Sequence, residues 1–490
     1  MAPEIIPDRY IVELHPGASV DAVARAHGVP PLARFGIING FLAHMSQAAA
    51  AALSRDPRVR RVSPDVVVHA FAKPSSPPGK GKGGGGSGGG GGTPSCPTPP
   101  EPTTEQIPTG GSRIGAPAAW DRGHKGDSVK VAVIDTGIDF CHPDLAGNYV
   151  EGINYIDSTQ PPKDDNGHGT HVSGIIAAQQ NDTGVVGVAP NAKLLAAKVL
   201  DASGSGSLST IINALDWAVQ KGARVANLSL GASDFWCLFG LCGAGSECTA
   251  ISNAVASGMV VVVAAGNAAD EALFYTPANC QDSLTVTAFA DSDGASGGTG
   301  PTMRGGAEFD DTFAQSFSNH SVYYWDMDGN GTFTIADHPV VDIMAPGVEI
   351  LSTMPTYDVT LTTTYGISKN YGVLSGTSMA TPHVAGAAAL YIGANLGATA
   401  DAVRRALVTK GECPGGGDTA GGPVCASPWL DDPRRRLGAA PAGERPVGDE
   451  EGPPSCAAYS RTACVIFIEQ KCAILAPSGQ ERERVLRPAA

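Results

Sequence analysis

Four runs of apolar residues constrain this chain more than any other feature: 129-VKVAVI-134, 194-LLAAKVL-200, 224-RVANLSL-230 and 259-MVVVVAA-265. Each is nearly continuous in apolar character, so neither face of the strand is meant for water. That is how parallel strands buried on both faces read. Helical stretches separate them, at 171-HVSGIIAA-178, 209-STIINALDWAVQKG-222 and 249-TAISNAVASG-258, and 399-TADAVRRALVTKG-411 closes the series. Strand and helix in alternation predict a three-layer α/β domain with a mostly parallel central sheet over 111–411. In such sheets ligands and chemistry collect beyond the carboxyl ends of the strands.

Residues 4–72 read as a separate, small α+β unit. The segments 9-RYIVEL-14, 40-GFLAHMS-46 and 66-VVVHAFA-72 are extended, while 19-SVDAVARAHG-28 and 46-SQAAAAALSRDP-57 are helical, the first with a Ser start and a Gly stop. The segment 73–110 is Gly-rich and then Pro-rich. It has too little apolar surface to fold and reads as a linker. Residues 412–490, rich in Gly, Pro and charge with one apolar patch at 464-CVIFIE-469, form a C-terminal extension to which no role is assigned.

With 42% hydrophobic and 17% charged residues the composition is that of a globular protein. A net charge of -15, from 33 basic against 48 acidic residues, argues against nucleic acid or an anionic membrane as partner. No apolar run reaches the roughly 18–20 residues of a membrane span. The start, MAPEIIPDRYIVEL, lacks the basic and apolar regions of a signal peptide. The chain is therefore expected to be intracellular or to begin after a removed signal. Its 11 cysteines include no CxxC pair and favour disulfides over zinc, so a secreted, extracellular or periplasmic location is expected.

Polar residues interrupt the pattern at element ends. Asp135 follows the first apolar run in 135-DTGID-139, and Asn267 follows the fourth in 266-GN-267. The stretch 163-KDDNGHGTHVSG-174 holds His168 and His171, and 375-SGTSMATPHVAGAAALYIG-393 places Ser378 at the start of an Ala-rich helix with Pro382 in its first turn. Taken singly, these are a turn aspartate, a Gly-Asn turn and histidines that pack or bind metal. Together they satisfy a stricter need. Acyl transfer requires a hydroxyl, a base, an acid to orient the base and donors for the oxyanion, and Ser378, His168, Asp135 and Asn267 supply all four. Of the known orders of such triads, Asp-His-Ser is the subtilisin one.

The stretches 133-VIDTGIDFCHPDL-145, 166-NGHGTHVSG-174, 229-SLG-231, 263-VAAGN-267 and 376-GTSMATPHVAGAAAL-390 resemble the signature blocks and supporting strands of subtilisin-like serine proteases. The resemblance implies a subtilisin-like fold in which Asp135 orients the base, His168 is that base, Ser378 is the nucleophile, and Asn267 with the Ser378 N–H holds the oxyanion. It implies a cleft between Gly204, Ser205, Gly206 on one wall and Ser229, Leu230, Gly231 on the other, where a peptide adds as a strand. Ala264, Ala265 and Gly266 would line the first specificity pocket, so broad cleavage after apolar or medium residues is expected. Asp164 and Asp165, read as rim residues, keep a preference for basic side chains as the alternative. Furin- and kexin-like relatives carry Arg where this chain has His171, which is read as structural. A non-catalytic binding protein with the same fold is the rival from another class.

The unit at 4–72 resembles the inhibitor-like I9 propeptide of the same family, with a ferredoxin-like fold. The resemblance implies a monomeric, self-processing zymogen that acts on proteins or peptides, with the cut near Ala72 or anywhere up to about 110. It also implies a structural Ca²⁺ held by Asp144 and Asn181 side chains and the Gln179, Thr183 and Val185 carbonyls. A second calcium reading comes from spacing. In 326-DMDGNGTFTIAD-337, Asp326, Asp328, Asn330, Gly331, Thr332, Thr334 and Asp337 fall at EF-hand loop positions, with Asp in place of the usual last Glu. No organic cofactor is expected. Among the cysteines, Cys248–Cys280 is the expected pair because its segments flank the helix and strand leading into Asn267. Cys237–Cys242 and Cys413–Cys425 are local pairings, and Cys141 is read as a buried, inert thiol.

Overall fold

A computed structural model of the chain describes residues 3–71, 73–74, 104–234, 237, 242–321, 324–325, 338–409 and 464–465. The first unit comprises β1 (Ile5–Leu14), α1 (Val20–His27), β2 (Pro31–Phe35), β3 (Gly40–His44), α2 (Gln47–Leu53) and β4 (Val59–Ala70). Its strands lie side by side in the order β4-β1-β3-β2, each pair antiparallel, which is the ferredoxin-like arrangement. Helix α1 begins at Ser19, whose hydroxyl accepts from the Ala22 N–H, and stops at Gly28 in the left-handed region (φ 65). Strand β4 starts well before 66, because Arg60, Arg61 and Pro64 hide its early part from an apolar pattern.

In the larger unit, β5 (Lys73–Pro74), α3 (Thr109–Arg113) and α4 (Ala116–Trp120) lead into β6 (Lys130–Asp135), β7 (Tyr149–Asn154) and α5 (His168–Ala177). The chain continues through β8 (Lys193–Lys198), β9 (Ser205–Ser207), α6 (Leu208–Gln220), β10 (Val225–Leu228) and β11 (Leu230–Ser233). Next come α7 (Ser246–Ala256), β12 (Val260–Ala264), β13 (Tyr275–Thr276), β14 (Leu284–Ala290) and β15 (Thr312–Phe313). The remainder is β16 (Tyr324–Trp325), β17 (His338–Pro339), β18 (Ile343–Pro346), β19 (Ile350–Thr353), α8 (Thr360–Tyr365), β20 (Tyr371–Ser375), α9 (Thr377–Ala394), α10 (Ala400–Thr409) and β21 (Cys464–Val465).

The central sheet runs β7-β8-β6-β10-β12-β14-β18-β21 with every pairing parallel, and β15 adds antiparallel beside β14. Alternate residues of one strand serve two cores. Val131 and Val133 of β6 pack with Val172 of α5 and Val384 of α9, while Ala132 and Ile134 pack with Ile211 of α6 and Ile251 of α7. Burial of both faces explains why the strand sequences do not alternate. The second core also takes Ile11, Phe35, Leu42, Val66 and Val68, so the sheet of the first unit lies on α6 and α7. Strand order reverses at β6, between β8 and β10, and the crevice at that point opens beyond Asp135. Among the described residues no helix is long and apolar enough to cross a membrane.

Candidate active site

Asp135 ends β6 and is fully buried. Its Oδ1 accepts from the Thr136 N–H at 2.7 Å and faces His168 Nδ1 at 2.7 Å. His168 is the first residue of α5, entered through Gly167 in the left-handed region (φ 111). Its Nε2 is buried and makes no hydrogen bond among the described residues.

Asp164 organises this turn from within. Its Oδ1 accepts from Thr136 Oγ1 (2.9 Å), Asn166 N–H (3.0 Å) and Gly167 N–H (2.8 Å), and its Oδ2 from Thr170 N–H (2.9 Å) and Oγ1 (2.6 Å). The expectation of a rim residue is therefore corrected. Asp164 is buried because the first N–H groups of α5 need an acceptor. Asp165 stays half exposed, but Lys198 Nζ sits 2.5 Å from its Oδ1 and balances its charge. His171 donates from Nε2 to the carbonyls of Ile350 (3.0 Å) and Gly372 (3.2 Å), and burial, aided by His168, pushes its pKa down to about 3. It is a neutral packing residue.

Ser378 enters at the start of α9, after Gly376. Its Oγ donates to the Ser229 carbonyl at 3.0 Å, and Ser229 Oγ donates back to the Ser378 carbonyl at 2.9 Å. Asn267 follows β12, and its Oδ1 accepts from Thr377 N–H (2.9 Å) and Oγ1 (3.0 Å). Those two donors fix the amide so that Nδ2 points into the cleft, where it donates to the carbonyl oxygen of Phe71. The turn carrying Asn267 is held in turn by Asn319, which donates to the Ala265 carbonyl and accepts from Ala268 and Asp270 N–H. Asn319 also lies against Gly266 (φ 107), where a Cβ would strike it. Sequence reasoning had passed over Thr377 and Asn319, although Thr377 immediately precedes Ser378.

The end of β4 fills the crevice. On one side Val67, Val68 and His69 pair antiparallel with Ser207, Gly206 and Ser205, and the Ala70 N–H reaches the Gly204 carbonyl at 2.9 Å. On the other, His69 and Ala70 pair with Gly231 and Leu230, and the Phe71 N–H reaches the Ser229 carbonyl at 3.3 Å. The Phe71 ring rests on the bare backbone of Gly231, where an added Cβ would lie 2.6 Å from Cζ. Ala264, Ala265 and Gly266 are buried, and Ala265 packs with Ala272, Tyr275, Ala278, Val340 and Val341. Past the cleft, Lys73 and Pro74 pair with Ser375 and Leu374 of β20. The chain thus threads the crevice with its backbone hydrogen-bonded on both sides of the Phe71 carbonyl.

The loop 179–185 wraps the buried Asp144. Asn181 Nδ2 donates to Asp144 Oδ1 (3.2 Å), Val185 N–H to Oδ2 (3.1 Å), and the Gln179 N–H to the Asp144 carbonyl (2.8 Å). Asn181 Oδ1 accepts from Thr183 N–H and Oγ1, and Glu105 Oε1 accepts from the Asn181 and Asp182 N–H groups. The 326–337 loop, with Asp326, Asp328, Asn330, Thr332 and Asp337, lies outside the described residues. So does the Cys413–Cys425 pairing. Cys248–Cys280 and Cys237–Cys242 are bonded as expected. Cys141 is itself in a disulfide, which corrects its reading as a thiol.

Comparison with known proteins decides the family. The profile described as "Subtilase family" matches residues 126–425, and that described as "Peptidase inhibitor I9" matches residues 32–71. Subtilisin E of Bacillus subtilis is 36% identical over 360 residues, covering 73% of this chain and 72% of that protein. The chain belongs to the subtilase family. It is a serine endopeptidase. Subtilisin of Bacillus pumilus is 40% identical over 289 residues (59% of this chain, 85% of that protein), and Subtilisin Savinase of Lederbergia lenta 40% over 286 residues (58% and 84%).

Proposed function

We propose that this subtilase is made as a self-processing zymogen whose residues 4–71 are both its inhibitor and its first substrate. Ser378 attacks a peptide carbonyl, His168 takes the hydroxyl proton and passes it to the leaving amine, and Asp135 holds the imidazolium through Nδ1. Asn267 Nδ2 and the Ser378 N–H stabilise the oxyanion. One observation carries the reading: the Phe71 carbonyl accepts from Asn267 Nδ2 while the flanking backbone pairs with both cleft walls. The bond from Phe71 to Ala72 is then the first one cut. For the attack, the Ser378 hydroxyl turns from the Ser229 carbonyl toward His168 Nε2.

Phe71 over Gly231 also favours a large apolar residue before the scissile bond. Ala72 and the linker 73–110 are left at the new N-terminus, with 111–411 the peptidase and 412–490 an extension. The disulfides fit work in an oxidising compartment. The Asp144 loop fits a hard cation: a buried carboxylate, the Asn181 amide and loop carbonyls are all oxygen donors, provided the Asn181 amide turns its oxygen inward. Calcium there would fasten the loop to the end of α5. The decisive experiment follows the precursor. Wild-type protein is expected to yield a new N-terminus at Ala72, and Ser378→Ala to keep its full length. Release of residues 4–71 from the Ser378→Ala chain would sink the reading.

A further inference from the structure

At the carboxyl end of β14 a carboxylate lies buried without the donors that every other acid around it has. Asp291 is 0% exposed, and neither of its carboxylate oxygens receives a hydrogen bond among the described residues. Arg113 Nε is 3.7 Å from Asp291 Oδ1, but it donates to Asp311 Oδ1 at 2.9 Å, and the guanidinium lies over the Phe289 ring. A buried carboxylate with no donor is costly, and proteins keep one where something binds it.

The surroundings name what binds. Carboxylate oxygens of Asp291, Asp293 and Asp310 lie within 4.8 Å of one another. Oxygens on opposite sides of a calcium ion stand about 4.6–5.2 Å apart, twice the usual Ca–O distance. Each of the other two acids is already set by the loop backbone. Asp310 accepts from Ser292 N–H and Oγ and from Gly300 N–H, and Asp293 from Ala295 N–H. Asp311 accepts from the Gly297 and Gly298 N–H groups. Four acids thus converge on one region opposite Arg113. The donors are all oxygen, with no imidazole or thiolate in the group, which selects a hard cation over zinc or copper. A carboxylate-rich loop of variable geometry suits calcium better than magnesium, which demands a tighter octahedron.

We propose that Asp291, Asp293 and Asp310 bind a calcium ion that fastens the loop 291–313 to the end of β14. The loop is neither the Asp144 site nor the 326–337 segment, and the proposal stands independently of both.

The test uses the full-length Ser378→Ala chain, which avoids self-digestion, stripped with EDTA and titrated with calcium by calorimetry. In this background Asp293→Asn, at an exposed position, and Asp291→Asn are each expected to lose one calcium equivalent or to weaken it at least tenfold. The rise in melting temperature on adding calcium should shrink with it. Asp144→Asn is expected to leave this equivalent in place. If both loop variants bind as many calcium ions as tightly as the parent, the proposal fails, and Asp291 is a protonated acid. Magnesium binding with equal affinity at the same equivalent would overturn the assignment to calcium.

Discussion

Residues 4–71 grip the rest of the chain at two places, and the two grips differ in kind. In the cleft the contact is backbone to backbone, strand β4 between β9 and β11, with one ring and one carbonyl of Phe71 reaching specific partners. On the far side the contact is made by side chains. Asp65 accepts from the Ser209 N–H (3.0 Å) and Oγ (2.7 Å) at the start of α6, whose own Ser207 provides no side-chain cap, and Arg9 pairs with it at 2.8 Å. Glu13 meets Ser246 at the start of α7 and is paired with Arg60 and Arg61. Carboxylates at helix N-termini satisfy orphan N–H groups and the helix dipole. Backbone pairing accepts any extended peptide, so the cleft can pass from propeptide to substrate. The helix contact fits this one segment and is untouched by a cut at Phe71. On the proposed function, one grip serves the chemistry and the other holds.

The largest expected effect breaks the first grip alone. Asn267→Leu removes the donor to the Phe71 carbonyl and none of the helix contacts. Precursor processing and peptide turnover should both fall about 10²–10³-fold, a figure known from the family's own oxyanion-hole asparagine and borrowed here. The unit should stay bound to α6 and α7. Processing followed on gels at an unchanged rate would mean that the Phe71 carbonyl is not the reacting one.

The Phe71 ring is the next target. Phe71→Gly forfeits the burial of one aromatic side chain, about 1.5–3 kcal/mol, and the cut should slow roughly 10- to 100-fold. Peptides with Phe before the scissile bond should exceed those with Gly in kcat/KM by a similar factor. Equal rates for Phe and Gly would show that the Gly231 pocket does not select.

Phe71 also marks how far the sequence could be read. Double burial makes β6, β8, β10 and β12 legible, because only strands covered on both faces are apolar throughout. Asp135, His168, Asn267 and Ser378 are legible because each interrupts such a pattern at an element end. By contrast, Phe71 sits in 66-VVVHAFA-72, where nothing local separates a ring bound in a pocket from side chains in a strand. Strand β14 was missed because Thr285 and Thr287 read as polar. Both are buried, and their hydroxyls are satisfied by the Ala278 and Asn319 carbonyls. The donors to Asp164 come from Thr136, Asn166, Gly167 and Thr170, and only the closed turn brings them together. Asp291 shares that difficulty in reverse, since a lack of donors is visible only in the fold.

Acid probes the catalytic body, where His171 and His383 are buried. Burial lowers the His171 pKa to about 3 and that of His383 to about 4, against an unfolded value near 6.5. The folded state therefore keeps these rings neutral where the unfolded chain takes up protons. The stability they give is present above about pH 6.5 and is lost progressively as pH falls toward 3. Between pH 6.5 and 5 each contributes a loss of about 2 kcal/mol. Against the Ser378→Ala parent, His171→Asn should take about 2 kcal/mol out of the stability change that denaturant unfolding reads between pH 6.5 and 5. An unaltered slope would mean that His171 is not held neutral.

The smallest effect tests the second grip alone. Asp65 reaches the start of α6 from another unit, so on the proposed function it caps a helix that the enzyme keeps after the propeptide leaves. Removing a helix cap costs about 1 kcal/mol, which is roughly a fivefold change in affinity. In Asp65→Ala the cut at Phe71 should proceed at the wild-type rate, since no cleft contact changes. What should change is the interval between the cut and the appearance of peptidase activity, shortened about fivefold as the freed unit leaves sooner. Asp65→Asn keeps an acceptor for the Ser209 N–H but loses the charge that faces Arg9 and the helix dipole, so its interval should fall between those of the wild type and the alanine variant. A slower cut with an unchanged interval would reverse the assignment, making the helix contact part of the chemistry and the cleft alone responsible for holding.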